Sequence, residues 1–230
     1  MASIVHSSNE SNSSTPDVAL MEGLARRLGT DKLRHGYIPS YVKHFGRPRL
    51  EPVVLVEIGL KKKKPGYAGC ESLKMWREYF PAARIVGLDI IDVSSLPRVP
   101  NTEVYQCDCT DALAIEQVFS RHDIAPDFVI DDGAHTPKSH QIALGTIFPR
   151  VRPGGAYFIE DLQVCLNRDM FKRWEVNDAN NTVTYLKDLQ AGRAPQSLFL
   201  DHDRNAYLHA EIDAIHFETD MKLAVIRKRS

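Results

Sequence analysis

From Pro52 onward the chain alternates between two hydrophobic periodicities. Apolar runs over 53–58, 84–90, 103–107, 128–132 and 156–160 are separated by stretches at helical spacing over 72–79, 111–121 and 137–151. Near-continuous apolar strands divided by helices are what a parallel sheet covered on both faces requires, so a doubly wound α/β fold is expected. Two further strand-like runs, 214–218 and 222–228, are joined only by Thr219-Asp220-Met221, and so tight a connection makes them antiparallel neighbours. Ahead of the first strand, Thr15 followed by Pro16 and Asp17 reads as a helix N-cap with proline in the first turn. Leu20, Leu24 and Leu28 then keep one face until Gly29 ends the helix. A second short helix near Pro39 is expected to carry Tyr41, His44 and Phe45.

Five parallel strands followed by an antiparallel hairpin resemble the Rossmann-like, seven-stranded sheet of the class I methyltransferases, which by itself says little about chemistry. Residues 1–15 are dominated by Ser and Asn and are expected to form a disordered tail. The remainder, 16–230, reads as a single domain in which 16–51 form a helical cap. The long mixed segment 162–209 is expected to act as a substrate lid over the carboxyl edge of the sheet.

Composition narrows the partners. Lys plus Arg number 29 against 30 for Asp plus Glu, which leaves no basic stripe for phosphate backbones or anionic lipid, so neither nucleic acid nor a membrane surface is expected. No run of about 18 apolar residues exists to span a bilayer, and a cytoplasmic protein is expected. The four cysteines are read as reduced, and Cys107 with Cys109 lacks the second pair that a zinc site would need.

Ligands of open α/β sheets bind beyond the carboxyl ends of the strands. Those ends are acidic here: Glu57-Ile58-Gly59, Gly87-Leu88-Asp89, Asp108, Asp131-Asp132-Gly133-Ala134-His135 and Glu160-Asp161. Asp89, ending the second strand, stands where a nucleoside-binding fold places a carboxylate for the ribose hydroxyls. The first turn is not Gly-x-Gly-x-x-Gly, which favours a cofactor without phosphate over a dinucleotide. Asp132 and Asp161 emerge from neighbouring strands at one edge, and hard oxygen ligands converging there suit Mg²⁺. Glu160 is the third candidate ligand, although alternation along a strand sets it on the opposite face from Asp161 unless the chain bends. His135, three residues beyond Asp132, is the best general base for a hydroxyl held at such a site. His140 is expected to face solvent.

These residues resemble the metal-dependent sugar O-methyltransferases of macrolide and related natural-product pathways. The resemblance is carried by Gly29-Thr30-Asp31-Lys32, Glu57-Ile58-Gly59, Ser72-Leu73-Lys74-Met75-Trp76, Gly87-Leu88-Asp89, Ile130-Asp131-Asp132-Gly133-Ala134-His135 and Glu160-Asp161-Leu162-Gln163. It implies Mg²⁺ on Asp132, Glu160 and Asp161, and His135 as proton acceptor. It also implies S-adenosyl-L-methionine contacts from Thr30, Glu57, Gly59, Ser72, Asp89, Asp108 and Asp132. One departure stands out: Lys61-Lys62-Lys63-Lys64 follow Leu60 where the family has more glycine, and lysine lacks glycine's backbone freedom.

The expectation is therefore an S-adenosylmethionine-dependent, Mg²⁺-assisted O-methyltransferase acting on a hydroxyl of a small natural product, such as a sugar attached to it. Specificity is expected in the lid and in Tyr37, Tyr41 and His44, and a homo-oligomer is expected. The alternative, motivated by the lysine loop, is a protein of this fold that binds a ligand or catalyses a non-methylating reaction in secondary metabolism. A metal-independent methyltransferase is disfavoured by the acids at the fourth and fifth strand ends.

Overall fold

The structure is a computed structural model describing residues 15–61 and 68–230. Residues 1–14 of the tail and Lys62, Lys63 and Lys64 of the lysine loop lie outside the described residues. Five strands run parallel: β1 (Val54–Ile58), β2 (Arg84–Asp89), β3 (Thr102–Gln106), β4 (Phe128–Asp131) and β5 (Ala156–Ile159). The C-terminal pair, β6 (Ile212–Glu218) and β7 (Leu223–Lys228), is antiparallel, with β7 inserted beside β5. The sheet order is β3-β2-β1-β4-β5-β7-β6, the class I methyltransferase arrangement. β1, β4 and β5 are buried along their whole length, which explains their lack of polar alternation.

Alternate residues of β1 feed two cores. Val54, Val56 and Ile58 pack with α5 (Ala112–Arg121), α6 (Pro137–Ile147), α7 (Thr182–Gln190) and α8 (His202–Glu211). Leu55 joins the other face with α1 (Pro16–Leu28), α3 (Ile38–Phe45) and α4 (Glu71–Tyr79). That second core is rich in rings: Phe45 packs against Trp76, Phe80, Phe128 and Phe158 at centroid separations of 4.7–5.9 Å. Aromatic clustering of this kind docks the N-terminal helices on the sheet.

The cap on α1 forms as its sequence indicates. Thr15 accepts from the Val18 amide and Gly29 adopts φ +76° to stop the helix. Its buried face differs from the leucine stripe, because Val18, Met21, Leu24 and Ala25 turn inward while Leu20 is exposed. A one-turn helix, α2 (Lys32–His35), separates α1 from α3. The segment expected as a lid contains α7 and α8, both packed into the first core. Among the described residues, no helix is long and apolar enough to cross a membrane.

Candidate active site

β1 and β4 are adjacent although their connections leave in opposite directions, and the crevice at such a switch point is where open α/β sheets bind ligands. Two hydrogen bonds pin the crevice floor: Gly59 donates to the Leu88 carbonyl at 2.8 Å and Asp132 donates to the Ile58 carbonyl at 3.0 Å. Gly59 has φ +87°, and a Cβ there would stand 2.1 Å from the Asp132 carbonyl oxygen. Only glycine permits that approach.

Two left-handed residues aim the chemistry. Asp161 has φ +56° immediately beyond β5, which supplies the bend that brings both Glu160 and Asp161 to this edge. His135 has φ +55°, and its Nε2 lies 3.7 Å from Asp132 Oδ1 and 3.6 Å from Asp161 Oδ2. Histidine and aspartate are among the non-glycine residues that tolerate this region. Among the described residues, one ligand atom each from Asp132, His135 and Asp161 lie within 4.8 Å of one another. The two carboxylates suit a divalent cation, with the His135 imidazole beside them; Glu160 is not in this trio, its Oε1 being taken by Lys32 and Tyr41.

Behind this trio stands a cation that the motifs contained but did not assign. Lys32 is fully buried, and its Nζ lies 2.6 Å from Glu160 Oε1, 3.2 Å from Asp132 Oδ2 and 3.3 Å from Glu57 Oε1. The three acids come from the ends of three strands. Burial alone would drive the proton off Lys32, but the charges of Asp132 and Glu160 outweigh it and hold the ammonium well above the usual lysine range. Glu160 is pushed up to about 8 by burial and by the Asp132 charge, against Lys32 and the Tyr41 hydroxyl that donates to it.

Asp161 is settled by different neighbours. Burial would raise its carboxyl, but the His35 hydrogen bond, the nearby His135 ring and the Gln163 and Tyr37 hydrogen bonds prevail and hold it below the ordinary carboxylate range. Tyr37 donates to Asp161 Oδ1 at 2.8 Å and accepts from the Asp161 amide at 3.2 Å. The tyrosines expected to read the acceptor are thus fully buried and orient the acids instead. His44, likewise buried, pairs with Glu218 of β6 at 2.7 Å.

On the other side of the crevice, Glu57 is fully buried and neither carboxylate oxygen has a hydrogen bond. Burial raises its carboxyl, opposed by Lys32 and Ser72. Its one described ion pair is the 3.3 Å contact of Oε1 with Lys32, and a buried acid whose oxygens still lack hydrogen bonds can take a further cationic amino group from a ligand. Asp89 accepts from the amides of Leu60 at 2.8 Å, Lys61 at 3.1 Å and Ile91 at 3.2 Å, so its carboxylate shapes the turn after β1. Lys61 itself does not adopt positive φ, so its backbone conformation is one that lysine can take. Asp108 lines a groove of about 720 Å³ with Ile90 and Cys107, and Thr30 accepts from the Lys32 amide.

One expectation is corrected. His140 is fully buried rather than solvent-facing, because α6 is covered on nearly all sides. Desolvation brings its imidazole down to about 3, and the ring centroid lies 6.3 Å from that of His135.

Comparison with known proteins places this geometry. No family model matches the chain. It is 37% identical over 178 residues to the 8-demethyl-8-alpha-L-rhamnosyl tetracenomycin-C 2'-O-methyltransferase of Streptomyces olivaceus, covering 76% of this chain and 46% of that protein. It is 38% identical over 129 residues to the mycinamicin VI 2''-O-methyltransferase of Micromonospora griseorubida, covering 56% and 32% respectively. The crystal structure of the mycinamycin-pathway methyltransferase MycE in complex with Mg and SAH superposes with a TM-score of 0.75 at 29% identity, over 94% of this chain and 56% of that one. Over this shared region the chain belongs to the same family. It spans less than half the length of these two sequence relatives.

Proposed function

We propose that the protein is an S-adenosylmethionine-dependent, Mg²⁺-assisted O-methyltransferase acting on a sugar hydroxyl of a small glycosylated natural product. The observation that carries this reading is the convergence of Asp132, Asp161 and His135 at one strand edge, with the buried Glu57, ion-paired to Lys32 but without a hydrogen bond, on the adjacent strand. Relatives named as sugar O-methyltransferases, and MycE in complex with Mg, SAH and mycinamycin VI, support it.

In this reading Asp132, Glu160 and Asp161 hold the metal, while Glu57, Gly59, Ser72, Asp89 and Asp108 line the cofactor side, with Thr30 near its edge. When bound, Mg²⁺ would supply a Lewis acid that orients and acidifies the acceptor, and the cofactor's sulfonium would supply the methyl group. His135 Nε2 takes the hydroxyl proton as the acceptor oxygen gains its methyl group; the imidazole is placed for this by its left-handed backbone. Tyr37 and His35 keep Asp161 oriented and ionised, so the acid does not compete for that proton. Lys32 and Tyr41 fix Glu160 from behind. The four cysteines, none in a disulfide, suit the cytosol, where we place a homo-oligomeric enzyme.

The test uses Asp132→Ala, Asp161→Ala and His135→Ala with EDTA-treated parent. Loss of either aspartate should abolish calorimetric Mg²⁺ binding and Mg²⁺-stimulated transfer. His135→Ala should keep metal and cofactor binding while turnover falls by about 10²–10⁴. Methyl transfer that survives exhaustive chelation would refute the assignment.

A further inference from the structure

Lys32 is placed to do more than neutralise charge. Its ammonium touches acids of both halves of the crevice, Asp132 and Glu160 on the metal side and Glu57 on the cofactor side. Its remaining surroundings include the Trp76 ring, 5.9 Å from Nζ to the centroid, and the side chain is fully buried. The ammonium can therefore neither escape to water nor be ignored by a second cation. A carboxylate oxygen already 2.6 Å from an ammonium has less charge to give a divalent ion, so Lys32 and that ion compete for Asp132 and Glu160. Of its three acids, Glu57 is the longest contact, at 3.3 Å, and the one whose oxygens have no hydrogen bond. A lysine repelled from Asp132 and Glu160 has Glu57 as its remaining partner, and its flexible stem permits the small movement without shifting α2.

We infer that Lys32 is a positioning residue that couples the two binding events: cation binding at Asp132 and Glu160 drives its ammonium onto Glu57, so that metal and cofactor oppose each other's binding. This rests on the proposal that those two acids hold Mg²⁺ and that Glu57 meets the cofactor's amino group. By linkage the antagonism is reciprocal: Mg²⁺ weakens cofactor binding by the same factor as the cofactor weakens Mg²⁺ binding.

The experiment is calorimetry on the full chain with S-adenosylhomocysteine and MgCl₂, each titrated with and without the other, so that no turnover is read. The parent should show antagonism of about fivefold or more in both directions. In Lys32→Met, Mg²⁺ should bind about tenfold more tightly or better, because one competing charge has gone, and the antagonism should shrink below about twofold. If the lone methionine leaves the acids too unbalanced to fold, the charge-compensated Lys32→Met/Glu160→Gln pair carries the test through the coupling factor alone. Absence of antagonism in the parent, or antagonism of unchanged size without Lys32, overturns the inference. Asp132→Ala separates the two readings. If it fails to remove Mg²⁺ binding, the metal assignment falls. If it removes binding while the parent shows no antagonism, only the role of Lys32 falls.

Discussion

Gly59→Ala is the substitution whose consequence the crevice floor dictates most directly. The added Cβ would meet the Asp132 carbonyl oxygen at 2.1 Å, its carbon at 2.7 Å and the Gly133 Cα at 3.1 Å. All three are backbone atoms, held by the Asp132 amide's bond to the Ile58 carbonyl, so no side chain can swing aside. The left-handed backbone adds about 1–2 kcal/mol for a residue with a Cβ. Forcing a methyl into a packed site adds about 1–3 kcal/mol, here toward the upper end because β1 and β4 must part. Together these give about 3–5 kcal/mol, a large share of the roughly 5–15 kcal/mol typical of a domain. In a chain of this size that lowers Tm by roughly 6–20 °C. Calorimetric unfolding measures this, and S-adenosylhomocysteine titration on the folded fraction should show weakened binding, since Gly59 and Asp132 move together. Gly23→Ala is the control: it has open space around it on α1 and should be neutral or stabilising by up to about 1 kcal/mol. A Gly59→Ala protein that melts within about 1 °C of the parent would refute the steric reasoning.

Asp131→Asn should reveal a pH-dependent penalty. Burial raises the Asp131 carboxyl to about 7, against hydrogen bonds from Tyr157 and the Gly133 amide. The folded state then binds this proton more tightly than the unfolded chain, so the carboxyl's contribution is full below about pH 4 and is lost as pH rises through about 7. The asparagine variant should gain on the parent between pH 4.5 and 7.5, by up to about 4 kcal/mol, and a difference in Tm independent of pH would contradict this. At the opposite edge, Asp127 accepts from the Val54 amide and from Arg47 and Arg152 at 2.8–3.0 Å. Asp127→Ala should cost about 2–3 kcal/mol in chemical denaturation while S-adenosylhomocysteine affinity stays within about twofold; weakened binding by folded protein would show that this edge reaches the site. Asp89→Ala removes the acceptor of the Leu60 and Lys61 amides after β1 and of the Ile91 amide after β2 and should lower that affinity about tenfold or more, whereas unchanged calorimetric affinity would remove Asp89 from the proposed cofactor site.

How much of this could be read from the chain follows from the range of the forces involved. Strands buried on both faces declare themselves as apolar runs, and parallel strands bring their carboxyl ends to one edge. The acids Glu57, Asp89, Asp132 and Asp161 could therefore be gathered before any coordinates. Asp132, Asp161 and His135 do meet there, and α1 starts and stops where Thr15 and Gly29 indicate, because caps act within a few residues. Local pattern could not show that Lys32 threads between Asp132 and Glu160, which are 100 and 128 residues away. Nor could it show that Tyr37 and Tyr41 serve the acids rather than an acceptor. Those outcomes depend on how the N-terminal helices dock against the aromatic core. The same limit applies to His140, since a helix covered on nearly every side has no polar face to betray its direction, and to the bend at Asp161 that sets two successive acids at one edge. Tertiary packing decides such matters because the charge that stabilises each buried group is supplied by another part of the fold.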